Sequence, residues 1–362
     1  MVIKETARYP CVPDAVTASA LHTPLSIGRH AIANDVLLAP LSGISDVPFR
    51  RLARRFGAGL VFSEMVASGE LLKGYRESLQ RAMWDGVGLH AVQLAGRDPD
   101  MMGEAARALA DGGADIIDIN FGCPAKKVVG GQSGSALMRE PELALRIVEA
   151  TVAGAGDVPV TLKMRLGWDH SSINSPSLAA RAESAGIRLV TIHGRTRQQF
   201  YEGGADWNAI ATVKAAVSIP VVANGDLVER AQLEPMRRAS GCDAVMVGRG
   251  ACGRPWLPGL LAGVIDEATL GRISAVDLVC EHFEMMLEHY GQAAGLRQSR
   301  KHLGWYLDRA ALGVGAQAAT LKGDILRLDR PSDVLARLQL ILGGLTALHL
   351  EAPASAARRE AA

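Results

Sequence analysis

Residues 101–121 read MMGEAARALADGGADIIDINF. The first ten carry apolar side chains at helical spacing, Gly112 and Gly113 stop that run, and a short lead-in passes into an apolar, β-branched stretch. The same lead-in returns at Gly186-Ile187-Arg188 and Gly241-Cys242-Asp243. Working outward, strand-like runs stand at 35–41 (DVLLAPL), 59–65 (GLVFSEM), 89–95 (LHAVQLA) and 115–121. Four more follow at 159–166 (PVTLKMRL), 188–194 (RLVTIHG), 219–225 (IPVVANG) and 243–249 (DAVMVGR). Most intervening segments have helical spacing, 141–152 (PELALRIVEATV) among them. Strand–helix alternation repeated eight times predicts an α/β fold, a parallel (β/α)8 TIM barrel. A doubly wound sheet is the competitor, but it would carry a G-x-G-x-x-G turn after its first strand, and none is present.

The rhythm changes near residue 272. Segments 275–292, 294–312, 316–326 and 331–349 show helical spacing with no strand runs between them, which predicts a small C-terminal helical bundle. The expected organisation is an irregular arm over 1–24, a barrel over 25–270, a helical domain over 271–350 and a frayed tail over 351–362. Composition is that of an ordinary globular enzyme, with 48% apolar and 21% charged residues. Lys+Arg 39 against Asp+Glu 38 leaves a net charge of +1, so any nucleic-acid surface has to be local. The five cysteines are scattered and form no C-x-x-C pair, which argues against disulfides and structural zinc and suits a reducing cytoplasm; no metal is expected. No signal peptide and no run of about 18 apolar residues is visible, so no membrane partner is expected.

In such a barrel the site forms at the C-terminal ends of the strands. Those ends carry Ala39-Pro40-Leu41, Gln93, Asn120 with Cys123, Lys163 with Arg165, and His193 with Arg195. Asn224-Gly225-Asp226 and Gly248-Arg249 end the last two strands. A lysine inside a buried strand is hard to dismiss, because an unpaired buried ammonium is costly. The turns after strands seven and eight form the usual phosphate corner, where glycine lets backbone N–H groups approach an anion and arginine adds charge-assisted hydrogen bonds. Cys123 reads either as a nucleophile, given a lowered pKa, or as a proton donor, given an ordinary one.

Taken together, these stretches resemble the tRNA-dihydrouridine synthases, most closely the bacterial B subfamily. The likeness runs through LAPLSGISDVPFR (38–50), AVQLAG (91–96), INFGCPAKKV (119–128), GSALM (134–138) and VTLKMRLGW (161–168 with Val160). It continues in TIHGRTR (191–197), VVANGD (221–226), VGRGACGRPW (247–256) and RKHLGWYL (300–307), covering about residues 25 to 345. The resemblance implies an FMN enzyme that uses NADPH to reduce particular uridines of tRNA, expected in the D-loop, as a monomer. It places Ala39, Pro40, Leu41, Gln93, Lys163 and His193 at the flavin, and Asn224, Gly225, Asp226, Gly248 and Arg249 at its phosphate. Asn120 would bond the uracil and Cys123 would donate the proton. Arg195, Arg197, Arg297, Arg300 and Lys301 are candidates for the tRNA backbone, Arg50, Arg51, Arg54 and Arg55 for a basic rim, and Lys126 and Lys127 for a nearby phosphate. A free-pyrimidine reductase similar to dihydroorotate dehydrogenase, and a non-catalytic tRNA-binding protein, are the alternatives. The basic helical stretch speaks against the first, and Cys123 with Lys163 against the second.

Overall fold

In the computed structural model the described residues are 25–130, 132–314 and 316–351. The arm expected over 1–24 and the tail beyond 351 lie outside them. The described chain opens with an antiparallel hairpin, β1 (Leu25–Ile27) and β2 (His30–Ile32), turned at Gly28. Every run expected as a barrel strand then forms one. These are β3 (Val36–Leu38), β4 (Leu60–Ala67), β5 (Ala91–Ala95) and β6 (Ile116–Phe121). They continue in β7 (Val160–Arg165), β8 (Val190–His193), β9 (Val221–Asn224) and β10 (Ala244–Val247). Neighbours pair in parallel, and β10 pairs with β3 through Val245 and Val36 to close the barrel.

Closure removes every sheet edge, and the helices cover the outer face. Helix Pro99–Asp111 starts where Asp98 accepts the Met101 N–H at 2.9 Å. It packs against helix Pro141–Ala155 so closely that a Cβ at Gly154 would lie 2.0 Å from the Gly103 carbonyl oxygen. Only glycine permits that approach. At the other end, Leu25, Ile27 and Ile32 share one core cluster with Leu60, Ala91, Ile116, Leu189, Val222 and Ala244, which lie at or near the starts of their strands. The hairpin therefore plugs the N-terminal end of the barrel and leaves the opposite end for chemistry. Strands of three residues carry too little alternation to be legible beforehand.

The C-terminal helices are Ala275–Tyr290, Gln292–Val314, Ala316–Ile325 and Pro331–Leu342. Their core of Leu278, Phe283, Leu303, Tyr306 and Leu338 is continuous with Leu52, Phe56 and Trp256 from the barrel side. The arginines expected at a basic rim are braces instead. Arg50 is 2% exposed and donates to the Ser45 and Met83 carbonyls. Arg51 donates to the Asp85 carbonyl, Arg54 pairs with the Asp85 carboxylate, and Arg55 pairs with Glu281 on the first C-terminal helix. Their helix, Val47–Arg55, turns them toward protein partners that lie far off in sequence. Among the described residues no helix is long and apolar enough to cross a membrane.

Candidate active site

A cavity of about 680 Å³ opens at the C-terminal end of the barrel. Ala39, Pro40, Leu41, Gln93, Asn120, Cys123, Lys163, His193, Asn224, Gly225, Asp226, Gly248 and Arg249 all line it, with Arg165 and Arg195 beside them. A second cavity, about 520 Å³, lies outside the barrel against Leu71, Leu79, Met83 and Trp84 and gathers none of these residues.

Register explains the gathering. Gln93 lies beside Asp118, Asp118 beside Thr161, Asn120 beside Lys163, Arg165 beside His193, and His193 beside Asn224. Neighbours in register point the same way, so polar side chains that are distant in sequence meet inside the barrel. They form a hydrogen-bonded relay. Thr161 donates its hydroxyl to Asp118 at 2.6 Å, and Gln93 Nε2 donates to the other Asp118 oxygen at 2.7 Å. Asn120 Nδ2 donates to Gln93 Oε1 at 2.7 Å, and Asn120 Oδ1 accepts the N–H groups of Gly122 and Cys123 at 3.0 and 2.9 Å. Asp118 thus fixes Gln93, Gln93 fixes Asn120, and Asn120 fixes the backbone that carries Cys123. Ser135 adds a hydrogen bond to the Cys123 carbonyl at 2.9 Å. Asp118, Thr161 and Ser135 were not singled out beforehand. The available signal was the alternation of Asp118 with Asn120 in an otherwise apolar strand.

The opposite wall is cationic. Lys163, Arg165, Arg195 and Arg249 gather there with Asp226, while Glu70, Glu77 and Arg81 also line the cavity. Lys163 is lowered from 10.5 to about 8, chiefly by burial and also by Arg165, against the opposing pull of Asp118 and Cys123. Its Nζ donates to Asn224 Oδ1 at 3.1 Å. Arg165 donates to the Gly122 and Thr196 carbonyls at 2.9 and 2.7 Å and bridges the Cys123 loop to the turn after β8. Burial holds His193 well below its ordinary value, and Lys163, Arg165, Arg195 and Arg249 reinforce this, so its ring is neutral at pH 7. Burial also raises the Cys123 thiol above its ordinary 9.0, outweighing the Ala125 N–H, Arg165 and Lys163. A protonated thiol can donate, and it is a poor nucleophile.

Arg195, a candidate for the tRNA backbone, is 3% exposed and grips Asp226 with two hydrogen bonds of 2.8 and 2.6 Å. Its guanidinium braces the turn after β9. Arg197 and Arg139 both lie against the Trp168 ring, at 4.7 and 3.9 Å from its centroid. Arg249 lies 4.5 Å from the Tyr201 ring. Arg297 is exposed, and Arg300 pairs with Asp329 at 3.3 Å. Lys301 turns inward: its Nζ donates to Gln298 and would lie 3.1 Å from a Cβ placed at Gly43. Lys126 and Lys127 fall in a helix, Lys126–Gly130, but their side chains lie outside the described residues.

Residues 37–339 match the family described as dihydrouridine synthase. A "Probable tRNA-dihydrouridine synthase" of Rhizobium leguminosarum bv. phaseoli is 56% identical over 308 residues, 85% of this chain and 95% of that one. The "tRNA-dihydrouridine synthase B" of Xanthomonas axonopodis pv. citri is 44% identical over 321 residues, 86% of this chain and 94% of that one. Among solved structures, histamine dehydrogenase from Rhizobium sp. 4-9 superposes with a TM-score of 0.51 at 16% identity, covering 73% of this chain and 51% of that one. The 6-hydroxypseudooxynicotine amine oxidase of Pseudomonas geniculata N1 gives 0.52 at 16% identity, covering 72% and 52%. At that identity the likeness is one of fold.

Proposed function

The chain belongs to the dihydrouridine synthase family and makes dihydrouridine in tRNA, and from that premise we propose that it does so with bound FMN and NADPH, Cys123 giving the proton. Family membership sets aside the free-pyrimidine and non-catalytic readings. The observation that carries the proposal is the single cavity in which a protonated Cys123, Asn120 and Lys163 face a cationic, glycine-lined corner.

The residues present fit FMN. At Gly248 a Cβ would meet nothing nearer than Asn224 Nδ2 at 4.0 Å, so that turn faces open space beside Arg249. Lys163, Arg165 and Arg249 lie beside an Arg195–Asp226 pair, and that grouping of cations favours a phosphate. Asn224, Gly225, Asp226, Gly248 and Arg249 would hold that phosphate, with Ala39, Pro40 and Leu41 along the ring system and Gln93, Lys163 and His193 at its polar edge. When bound and reduced by NADPH, FMN supplies the hydride that adds to C6 of uracil.

The chain's own groups supply the rest. Cys123 Sγ gives its proton to C5, and the thiolate is reprotonated from solvent. Lys163 offsets the negative charge that develops on the uracil during reduction. Asn120 has one amide hydrogen left after its bond to Gln93, and that hydrogen is available to a uracil carbonyl. The base must leave its stack to reach this depth. In this reading Arg139, Arg197 and Arg297 take tRNA phosphates, and the uridine reduced is in the D-loop.

Cys123→Ala tests the acid role. Dihydrouridine formation on tRNA should fall about 10²–10⁴-fold while flavin absorbance and NADPH oxidation persist. An unchanged rate would remove Cys123 from the reaction, and a protein that never takes up flavin would remove FMN.

A further inference from the structure

Where the barrel meets the C-terminal helices, three donor groups that the reaction does not use face one another. Asp46 caps helix Val47–Arg55, with Oδ1 accepting the Phe49 N–H at 3.0 Å and Oδ2 accepting the Tyr290 hydroxyl at 3.2 Å. His282 comes from helix Ala275–Tyr290 and His302 from helix Gln292–Val314. One ligand atom from each lies within 4.8 Å of the other two. The three residues are 3%, 1% and 2% exposed.

His282 Nδ1 sits 3.1 Å from the Tyr306 hydroxyl. His282 Nε2 and both ring nitrogens of His302 have no hydrogen-bond partner among the described residues. Three stranded nitrogens in one buried spot are unusual, since buried polar atoms are nearly always paired. The two imidazole centroids are 4.7 Å apart at 64°, and Phe49 covers both rings at 5.9 and 5.6 Å. Charge of both signs surrounds the cluster: Arg55 acts on His282 and Lys301 on His302, with two carboxylates on the other side. Buried Asp46 and Glu64 act on each other, and Lys301 is the one ammonium acting on both.

We propose that Asp46, His282 and His302 bind a divalent transition metal that ties the first βα loop of the barrel to two C-terminal helices. Two imidazoles and one carboxylate suit zinc, whereas magnesium and calcium favour all-oxygen shells. The Tyr306 hydroxyl on His282 Nδ1 is the kind of outer contact that orients a metal-bound imidazole and leaves Nε2 for the ion. Sequence spacing offers no hint of the site, because its ligands come from three separate elements.

The test is metal analysis of the full chain, purified without chelator from zinc-supplemented cells. Wild type should carry about one zinc per chain, and His282→Gln and His302→Gln should each fall to background. Cobalt-grown wild type should show visible ligand-field absorption, which decides the matter even where a variant fails to fold. Wild type without stoichiometric metal, cobalt protein without that absorption, or unchanged zinc in folded His302→Gln would each overturn the proposal and leave an ordered water as occupant.

Discussion

Ionised Asp118 can only accept hydrogen bonds, and this directs the relay that ends at Cys123. Asp118→Ala strands the Gln93 amide and the Thr161 hydroxyl, each at a cost of about 1–3 kcal/mol. Uridine reduction should fall while flavin content is held, a split read by comparing single-turnover rate with absorbance; equal loss of both would assign Asp118 to cofactor binding. Asp118→Asn keeps the direction, because its oxygen still accepts from Gln93 and its amide can donate to Thr161. Burial raises Asp118 from 3.8 to about 6, against the bonds from Thr161 and Gln93 and the charge of Lys163. The native carboxyl therefore keeps its proton to higher pH than the unfolded one. That contribution to stability is full below 3.8 and is lost as pH rises through about 6. Relative to the Asn variant, wild type should lose on the order of 3 kcal/mol across that window in urea unfolding. A difference that stays flat with pH would refute the assignment. At this scale Cys123 and Lys163 were legible because they interrupt apolar runs at strand ends. Arg195 was not, because its partner Asp226 reaches it only through the pairing of β8 with β9.

The turn after β9 works as an element. Gly225 has φ +122°, a conformation that favours glycine, and a Cβ there would lie 2.7 Å from Ala205 Cβ and 3.0 Å from His193 Cδ2. Asp226, next in line, also has a positive φ and is held by Arg195 and the Ala205 N–H. Gly225→Ala should shift this turn at a cost of about 1–3 kcal/mol and weaken flavin retention, seen as a lower Tm and faster flavin release on dilution. Unaltered retention would separate this turn from the phosphate corner. The turn's glycines were visible in the sequence as a phosphate signal. The arginines of helix Val47–Arg55 were misleading in the same way for a different reason. Charge alone does not tell a surface patch from side chains that cross to Met83, Asp85 and Glu281.

Barrel and C-terminal helices share a core at the scale of the whole molecule. Trp256 is fully buried and Phe56 nearly so, in one cluster with Phe283 and Tyr306. Arg254 and Trp256 both donate to Glu351, at 2.8 and 2.6 Å, which pins the end of the described chain to the barrel. Removing residues from 271 onward should expose that core, giving a fragment that binds hydrophobic dyes and aggregates. A monodisperse, flavin-binding fragment would show the barrel to be independent. In the intact protein, tRNA affinity should fall steeply with salt, because phosphate contacts release counterions.

The sequence by itself determined the eight strands, the helical appendage and the strand-end residues, since period and punctuation are local properties of the chain. The tertiary structure alone decided which polar residues work together. Register set Asp118 beside Gln93 and Thr161, and barrel closure brought Leu38 beside Val247. Helix packing then set His282 and His302 against Asp46. Those meetings depend on burial and long-range pairing, which no window of sequence contains.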